Sequence, residues 1–299
     1  MTNSNWPNGL IDAMAKGECV LFIGAGFTKN ATSTGANPVS WAELLTELLN
    51  KISPNPVRGR RTNADAAIAG QIKNGDLLWA AQALETRFTE AGWHADYREI
   101  IARAVDGPVD AKFQPGLPHE SLLNLDARLI ITTNYDKVLE RLFGDGYVYL
   151  TYKNDNIAES VRTGKSIVLK LHGTTDDPQG LILTRLDFAE LRRKGVQALG
   201  VVEALALTRT VLFLGYSLDD PDLQLILENQ MLMSSSTPGH YLLTSSRATT
   251  AARVDVMRKA FGVQVITYSD QGGEGFSRVF QDLVEEVLST RAKFLGNGA

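Results

Sequence analysis

His172 directly follows Leu169-Lys170-Leu171, the end of an expected strand, and precedes Gly173, a setting that suits an imidazole held at a strand tip to move protons. Asn134 and Asp136 stand two apart just beyond another apolar run. The amide can both donate to and accept from sugar hydroxyls. The carboxylate can order that network or cap the helix that follows. Gly24-Ala25-Gly26, again after an apolar run, lets backbone approach a pyrophosphate through peptide N–H groups. The full dinucleotide fingerprint fails, because Lys29 occupies the third glycine position. A plain tight turn is the competing reading of this segment. His94, His119 and His240 lack a comparable setting and are read as structural.

What positions these residues is an alternation of short apolar runs with helical periods. Strands are expected at Glu18–Ile23, Arg128–Thr133, Ser166–Leu171, Thr210–Leu214, His240–Leu243 and Val263–Tyr268. Their near-continuous apolar character suits strands covered on both faces. Helical patterns occupy Trp41–Ile52, Tyr135–Phe143, Val196–Leu207 and Ala248–Phe261. The expected fold is an α/β, doubly wound parallel sheet of Rossmann type. In such a sheet ligands bind beyond the carboxyl ends of the strands. The strands here end in Gly24–Thr28, Thr133–Asp136, His172-Gly173, Gly215-Tyr216-Ser217 and Thr244-Ser245-Ser246. Glycines and small polar groups thus converge, with one histidine and one asparagine, on a single edge. The loop Phe27–Val39, rich in Thr, Ser, Asn and Gly, could close over a bound nucleotide.

Between the first two strands, Asp65–Ile72, Leu77–Phe88 and Tyr97–Val105 carry apolar residues at three and four spacing. Residues 53–117 therefore read as a small helical insertion in an otherwise single domain spanning 1–299. Ser53-Pro54-Asn55-Pro56 and Gln114–Pro118 mark its ends. A last helix, Glu274–Ala292, carries Phe276, Val279, Phe280, Leu283, Val284, Val287 and Leu288 on one stripe. That stripe suits packing on the sheet, with an oligomer contact as the alternative.

The apolar fraction of 44% and charged fraction of 21% are those of a globular chain. Thirty basic against thirty-four acidic residues, net −4, argue against a protein that coats nucleic acid directly. No apolar run approaches the roughly 18 residues of a membrane span, and no signal segment is visible, so a cytoplasmic location is expected. One cysteine, Cys19, excludes an intrachain disulfide and a CxxC zinc site.

Gly24-Ala25-Gly26, Thr133-Asn134-Tyr135-Asp136, Leu171-His172-Gly173 and Gly215-Tyr216-Ser217, in this order, resemble the sirtuin fold. Trp41–Leu45, Ile182-Leu183-Thr184 with Asp187-Phe188, and Asp219-Asp220-Pro221 bring the chain nearer to a bacterial branch: the sirtuin-like NAD-consuming (NADase) family of anti-phage defence systems. The resemblance runs from about residue 9 to about residue 268, the helical insertion matching in position alone. Deacylating sirtuins carry a four-cysteine zinc ribbon, and they have Pro-Asp-Phe-Arg where this chain has Pro38-Val39-Ser40-Trp41. The protein-substrate half of such an enzyme is thus missing.

The resemblance implies an NAD+ glycohydrolase, an effector that depletes NAD+, with NAD+ as substrate, no resident cofactor and no metal. Asn134 would hold the nicotinamide ribose or the attacking water, Asp136 would order that network, and His172 would be the general base. Gly24, Ala25, Gly26, Gly215 and Ser217 would hold the diphosphate and adenosine ribose, with Phe27, Thr28 and Thr133 also in the binding set. It further implies a homo-oligomer or a separate activating protein, such as a DNA-translocating ATPase or a short Argonaute. Arg58-Gly59-Arg60-Arg61 and Arg192-Arg193-Lys194, read as basic loops, could dock it. A nucleotide sensor without turnover is the alternative, followed by a protein deacylase or ADP-ribosyltransferase.

Overall fold

The computed structural model describes residues 6–33, 37–53, 62–233, 239–269 and 275–296. The 58–61 basic run, residues 54–56 of the first insertion boundary, residues 34–36 of the loop after the first strand, and Glu274 lie outside the described residues.

Among the described residues the strands are β1 (Cys19–Ile23), β2 (Leu129–Thr132), β3 (Val148–Thr151), β4 (Ile167–Lys170), β5 (Thr210–Leu214), β6 (His240–Ser245) and β7 (Val263–Tyr268). They form one parallel sheet in the order β3-β4-β2-β1-β5-β6-β7. The doubly wound expectation holds. β3 was not anticipated. It is a short edge strand, half-buried at three of its four positions, and its Tyr147–Leu150 run of aromatic, β-branched and apolar residues carries a strand signal like that of the central strands.

The helices are α1 (Asn8–Ala15), α2 (Ala25–Thr28), α3 (Trp41–Ile52), α4 (Asn63–Asn74), α5 (Leu77–Glu90), α6 (His94–Asp106), α7 (Leu117–Leu125), α8 (Val138–Phe143), α9 (Ile157–Arg162), α10 (Arg185–Lys194), α11 (Val196–Thr208), α12 (Pro221–Met233), α13 (Ala251–Phe261) and α14 (Gly275–Gly296). Successive side chains of each strand point to opposite faces. Val20 and Phe22 of β1, with Phe213 of β5, join a core with residues of α10–α13. Leu21 and Ile23, with Leu212 and Leu214, join another with α1, α7 and α14. Phe276, Phe280, Leu283, Val284 and Val287 are buried in that second core, so the α14 stripe packs on the sheet. Buried side chains of this kind contribute roughly 1.5–3 kcal/mol each.

A third core belongs to the helical region. Leu44, Leu45, Leu48 and Leu49 of α3 pack with Ile68, Leu84, Phe88, Tyr97 and Ile101, and with Leu181 and Leu183 from the segment after β4. The helical unit therefore takes in α3 as well as the expected α4–α6. Arg98, buried, ties it to the segment after β4 by donating to Asp187 at 2.7 Å and the Leu181 carbonyl at 2.6 Å, and pairs within the unit with Glu85 at 2.7 Å.

Several local expectations shift. α8 starts at Val138 rather than Tyr135, because Asp136 accepts the Val138 N–H at 3.0 Å and holds the preceding residues outside the helix. α13 starts after Thr250, whose hydroxyl accepts the Arg253 N–H. Arg192-Arg193-Lys194 is no loop but the last turn of α10, where cations suit the helix dipole. His119 and His240 are buried with Nδ1 accepting the N–H of Gly116 and of Val211, and burial lowers both imidazoles to about 4. Cys19 is buried in β1, which pushes its thiol up to about 12. No described helix is long and apolar enough to cross a membrane.

Candidate active site

β5, β1, β2 and β4 lie side by side and end level, Leu214 opposite Ile23, Ile23 opposite Thr132, and Thr132 opposite Lys170. Residues 134 and 172 thus each stand two places beyond the aligned ends of neighbouring strands. The sheet order reverses between β1 and β5, the point where the following connections leave for opposite faces and a crevice forms.

On the β1–β5 side the loops touch backbone to backbone. Gly24 N–H donates to Leu214 O at 2.9 Å, Gly26 N–H to Gly215 O at 2.8 Å, and Phe27 N–H to Gly24 O at 2.9 Å. A Cβ on Gly24 or Gly26 would stand 2.5 or 2.8 Å from Gly215 O. Gly215, at φ +60°, would place its own Cβ 2.1 Å from Phe27 N. These glycines therefore let two loops meet, and the N–H groups of Gly24, Gly26 and Phe27 are not bare. The Phe27 side chain, placed by the sequence in the binding set, is fully buried. It makes edge contacts with His119, Phe276 and Phe280 and anchors the core rather than a ligand. Ala25, Gly26 and Ser217 are exposed. Leu218, buried and at φ +60°, carries the kind of backbone strain that gathers at functional turns.

On the β2–β4 side, side chains do the joining. Thr28 Oγ1 donates to Asp136 Oδ2 at 2.8 Å and accepts from Asn134 Nδ2 at 2.9 Å. Asp136 both accepts the first N–H of α8, that of Val138, and orders Asn134 through Thr28. Its burial pushes the carboxyl above the ordinary range against the opposing pull of Lys170, the Val138 N–H and Thr28. Lys170, almost fully buried, donates to the carbonyls of Asp136 at 2.5 Å and Tyr135 at 3.3 Å and to Glu140 at 2.6 Å. Tyr135 donates its hydroxyl to Ile182 O at 2.6 Å, and Ile182 N–H donates to His172 O at 3.0 Å. The turns carrying Asn134 and His172 are therefore stitched through one segment.

His172 is buried, with Nε2 2.9 Å from Asp220 Oδ2 and the ring edge-on to Phe188 at 5.1 Å. The other carboxylate oxygen of Asp220 accepts the N–H groups of Asp222 at 2.9 Å and Leu223 at 3.0 Å at the start of α12. Burial alone would raise the Asp220 carboxyl. The hydrogen bond from His172, its charge when the ring is protonated, and those two N–H groups hold it below the usual range. The Tyr216 hydroxyl lies beside Asp220 and Thr133, which links His172 back toward the Asn134 turn.

Asp220, Tyr216 and Lys170 have no role in the reading from residue types. Asp220 entered only within Asp219-Asp220-Pro221. A proline opening a helix behind an aspartate was the available signal for a fixed carboxylate. A cleft of about 640 Å³ opens nearby between α6, α8 and Thr175-Asp176. Its lining includes neither Asn134 nor His172, and its four cations face four carboxylates, so it does not single out an anionic ligand. Among the described residues no group of three or more His, Cys, Asp or Glu is placed to hold a metal ion.

Fold and strand-end residues together define a parallel, doubly wound α/β domain with polar side chains gathered at its strand ends. Residues 128–266 match the family model of the SIR2-like domain, so the resemblance drawn from the sequence stands. The chain is 25% identical over 236 residues to the NAD(+) hydrolase ThsA of Enterococcus faecium, covering 78% of this chain and 44% of that protein. It is 26% identical over 235 residues to the NAD(+) hydrolase ThsA of Cytobacillus dafuensis, covering 77% and 42%. The chain thus spans less than half the length of these curated relatives.

Proposed function

We propose that this protein hydrolyses NAD+ to nicotinamide and ADP-ribose, as an effector of anti-phage defence by NAD+ depletion. The observation that carries the reading is the convergence of Asn134, in its Thr28–Asp136 network, and the Asp220-held His172 on the level ends of adjacent strands. The names of the relatives support the same chemistry. In the reaction the glycosidic C–N bond breaks and its electron pair leaves with nicotinamide. A water oxygen bonds to the ribose carbon, and the water proton passes to His172. Asn134 holds the ribose or that water. Asp136 acts as a positioning residue through Thr28. Thr133, Ala25, Gly26 and Ser217 offer polar or side-chain-free surface to the rest of the dinucleotide, while Gly24 and Gly215 shape the turns beneath it. A dry, ordered site of this kind lowers the barrier by positioning and water exclusion. Activity is governed by self-assembly or by a separate protein, a DNA-translocating ATPase or a short Argonaute. The basic last turn of α10 is one docking candidate, although its charges already pair with Asp222 and Glu190.

Nicotinamide release, assayed with and without candidate partners, tests this. His172→Ala is expected to lose about 10²–10⁴-fold in turnover while keeping most NAD+ affinity. Asn134→Ala is expected to be nearly inactive with its fold intact. Wild-type rates in both variants would remove the assignment.

A further inference from the structure

We infer that Asp220 is a positioning residue that keeps the hydrogen on Nε2 of His172, so that Nδ1 is the atom that receives the proton. The inference rests on the hydrolase reading for its kinetic consequence, but its structural half stands alone. Of the two ring nitrogens, Nε2 is the one held by a carboxylate, at 2.9 Å. A carboxylate that stays ionised can only accept, so Nε2 must carry the hydrogen.

That carboxylate has no freedom to turn away. Its second oxygen is engaged by the Asp222 and Leu223 N–H groups at the start of α12, and Tyr216 lies beside it. The imidazole is equally confined, with Phe188 edge-on and Leu171, Leu191, Leu223 and Ile226 around the same crevice. A histidine whose Nε2 proton is fixed in this way presents its lone pair at Nδ1. When a water or ribose O–H gives up its proton, the oxygen keeps the electron pair and the proton joins Nδ1. The resulting imidazolium then lies against the ionised Asp220. The same division of labour, with the ring nitrogens exchanged, operates in Ser-His-Asp triads.

Asp220→Asn in the full chain is the test. Asparagine keeps the oxygen that caps α12 and is as good a cap as aspartate. Its amide can turn an N–H toward the ring, which draws the lone pair to Nε2 and the hydrogen to Nδ1. For nicotinamide release, kcat is expected to fall by about 10²–10⁴-fold while KM for NAD+ changes by no more than about threefold. Nitrogen NMR of histidine-labelled protein, followed as pH is raised until the His172 resonances stop moving, supplies the second readout. His172 is assigned by the resonances lost in His172→Ala. The unaltered chain is expected to show a protonated Nε2 and a bare Nδ1, and Asp220→Asn the reverse or a mixture. A wild-type spectrum with the hydrogen on Nδ1, or a wild-type kcat in Asp220→Asn, overturns the inference. A chain that releases no nicotinamide under any condition overturns the hydrolase reading instead, and the spectrum of the unaltered chain still decides the tautomer.

Discussion

The two sides of the strand-end edge are built by opposite means. At β1 and β5 the loops meet because side chains are missing: Gly24, Gly26 and Gly215 let backbone lie on backbone. At β2 and β4 they meet through side chains, with Thr28, Asn134, Asp136, Lys170, His172 and Asp220 supplying the links. The first side tolerates no added atom, and the second no lost one. Gly215→Ala breaks the first most severely, since the new methyl would lie 2.1 Å from Phe27 N at a positive φ. A loss above about 4 kcal/mol, read as urea unfolding or absence of soluble protein, is expected. Gly75→Ala is the control. It shares the positive φ, at +83°, but has open space around it, so it should cost only about 1 kcal/mol. Equal losses at the two positions would mean that φ, not the meeting of the loops, governs Gly215.

Lys170→Met probes the other side. Removing the ammonium leaves Glu140, one of whose oxygens is already buried without a partner, uncompensated, and frees the carbonyls of Tyr135 and Asp136. Breaking a buried pair from one side costs about 3–5 kcal/mol. Adding Glu140→Leu should restore part of that, because the orphaned charge goes with it. If the double variant is no more stable than Lys170→Met alone, the lysine's role is to clamp the Asn134 turn rather than to neutralise Glu140.

These two constructions also explain what could be read from the chain. Strand runs such as Val20–Ile23 and Val211–Leu214 announce themselves, since burial on both faces demands unbroken apolar sequence. β3 carries a comparable run at Tyr147–Leu150, yet its half-buried place at the sheet edge appears only in the fold. Asn134 and His172 were legible as polar residues at strand ends. The Asp220 contact was not, because it joins positions 172 and 220 through the packing of α12 beside β4's loop, and no local spacing encodes that. Gly24 and Gly26 were visible as glycines. Their proximity to Gly215, which accounts for their smallness, depends on β1 and β5 being neighbours in the sheet.

Thr28, like Asp220 and Tyr216 of the β5 loop, joins the two sides, since it sits on the β1 loop yet binds Asn134 and Asp136. Thr28→Val keeps the shape and removes the hydroxyl, so with Asp136 ionised it should cost about 1–3 kcal/mol. Thr28→Ser, which retains the oxygen, should cost less. The pH dependence carries a sign. Burial already raises the Asp136 carboxyl in the fold, and the Thr28 hydroxyl opposes that by donating to the ionised form. Loss of the donor raises the folded-state carboxyl further. The Thr28→Val deficit is therefore present in full above the folded Asp136 pKa and shrinks as pH falls through it, where the protonated carboxyl no longer needs the hydroxyl. Urea unfolding over a pH series from alkaline to acidic measures this directly. A deficit that stays constant across that range would mean that Thr28 serves packing alone, and the link between the glycine turn and the Asn134 network would have to run through backbone contacts instead.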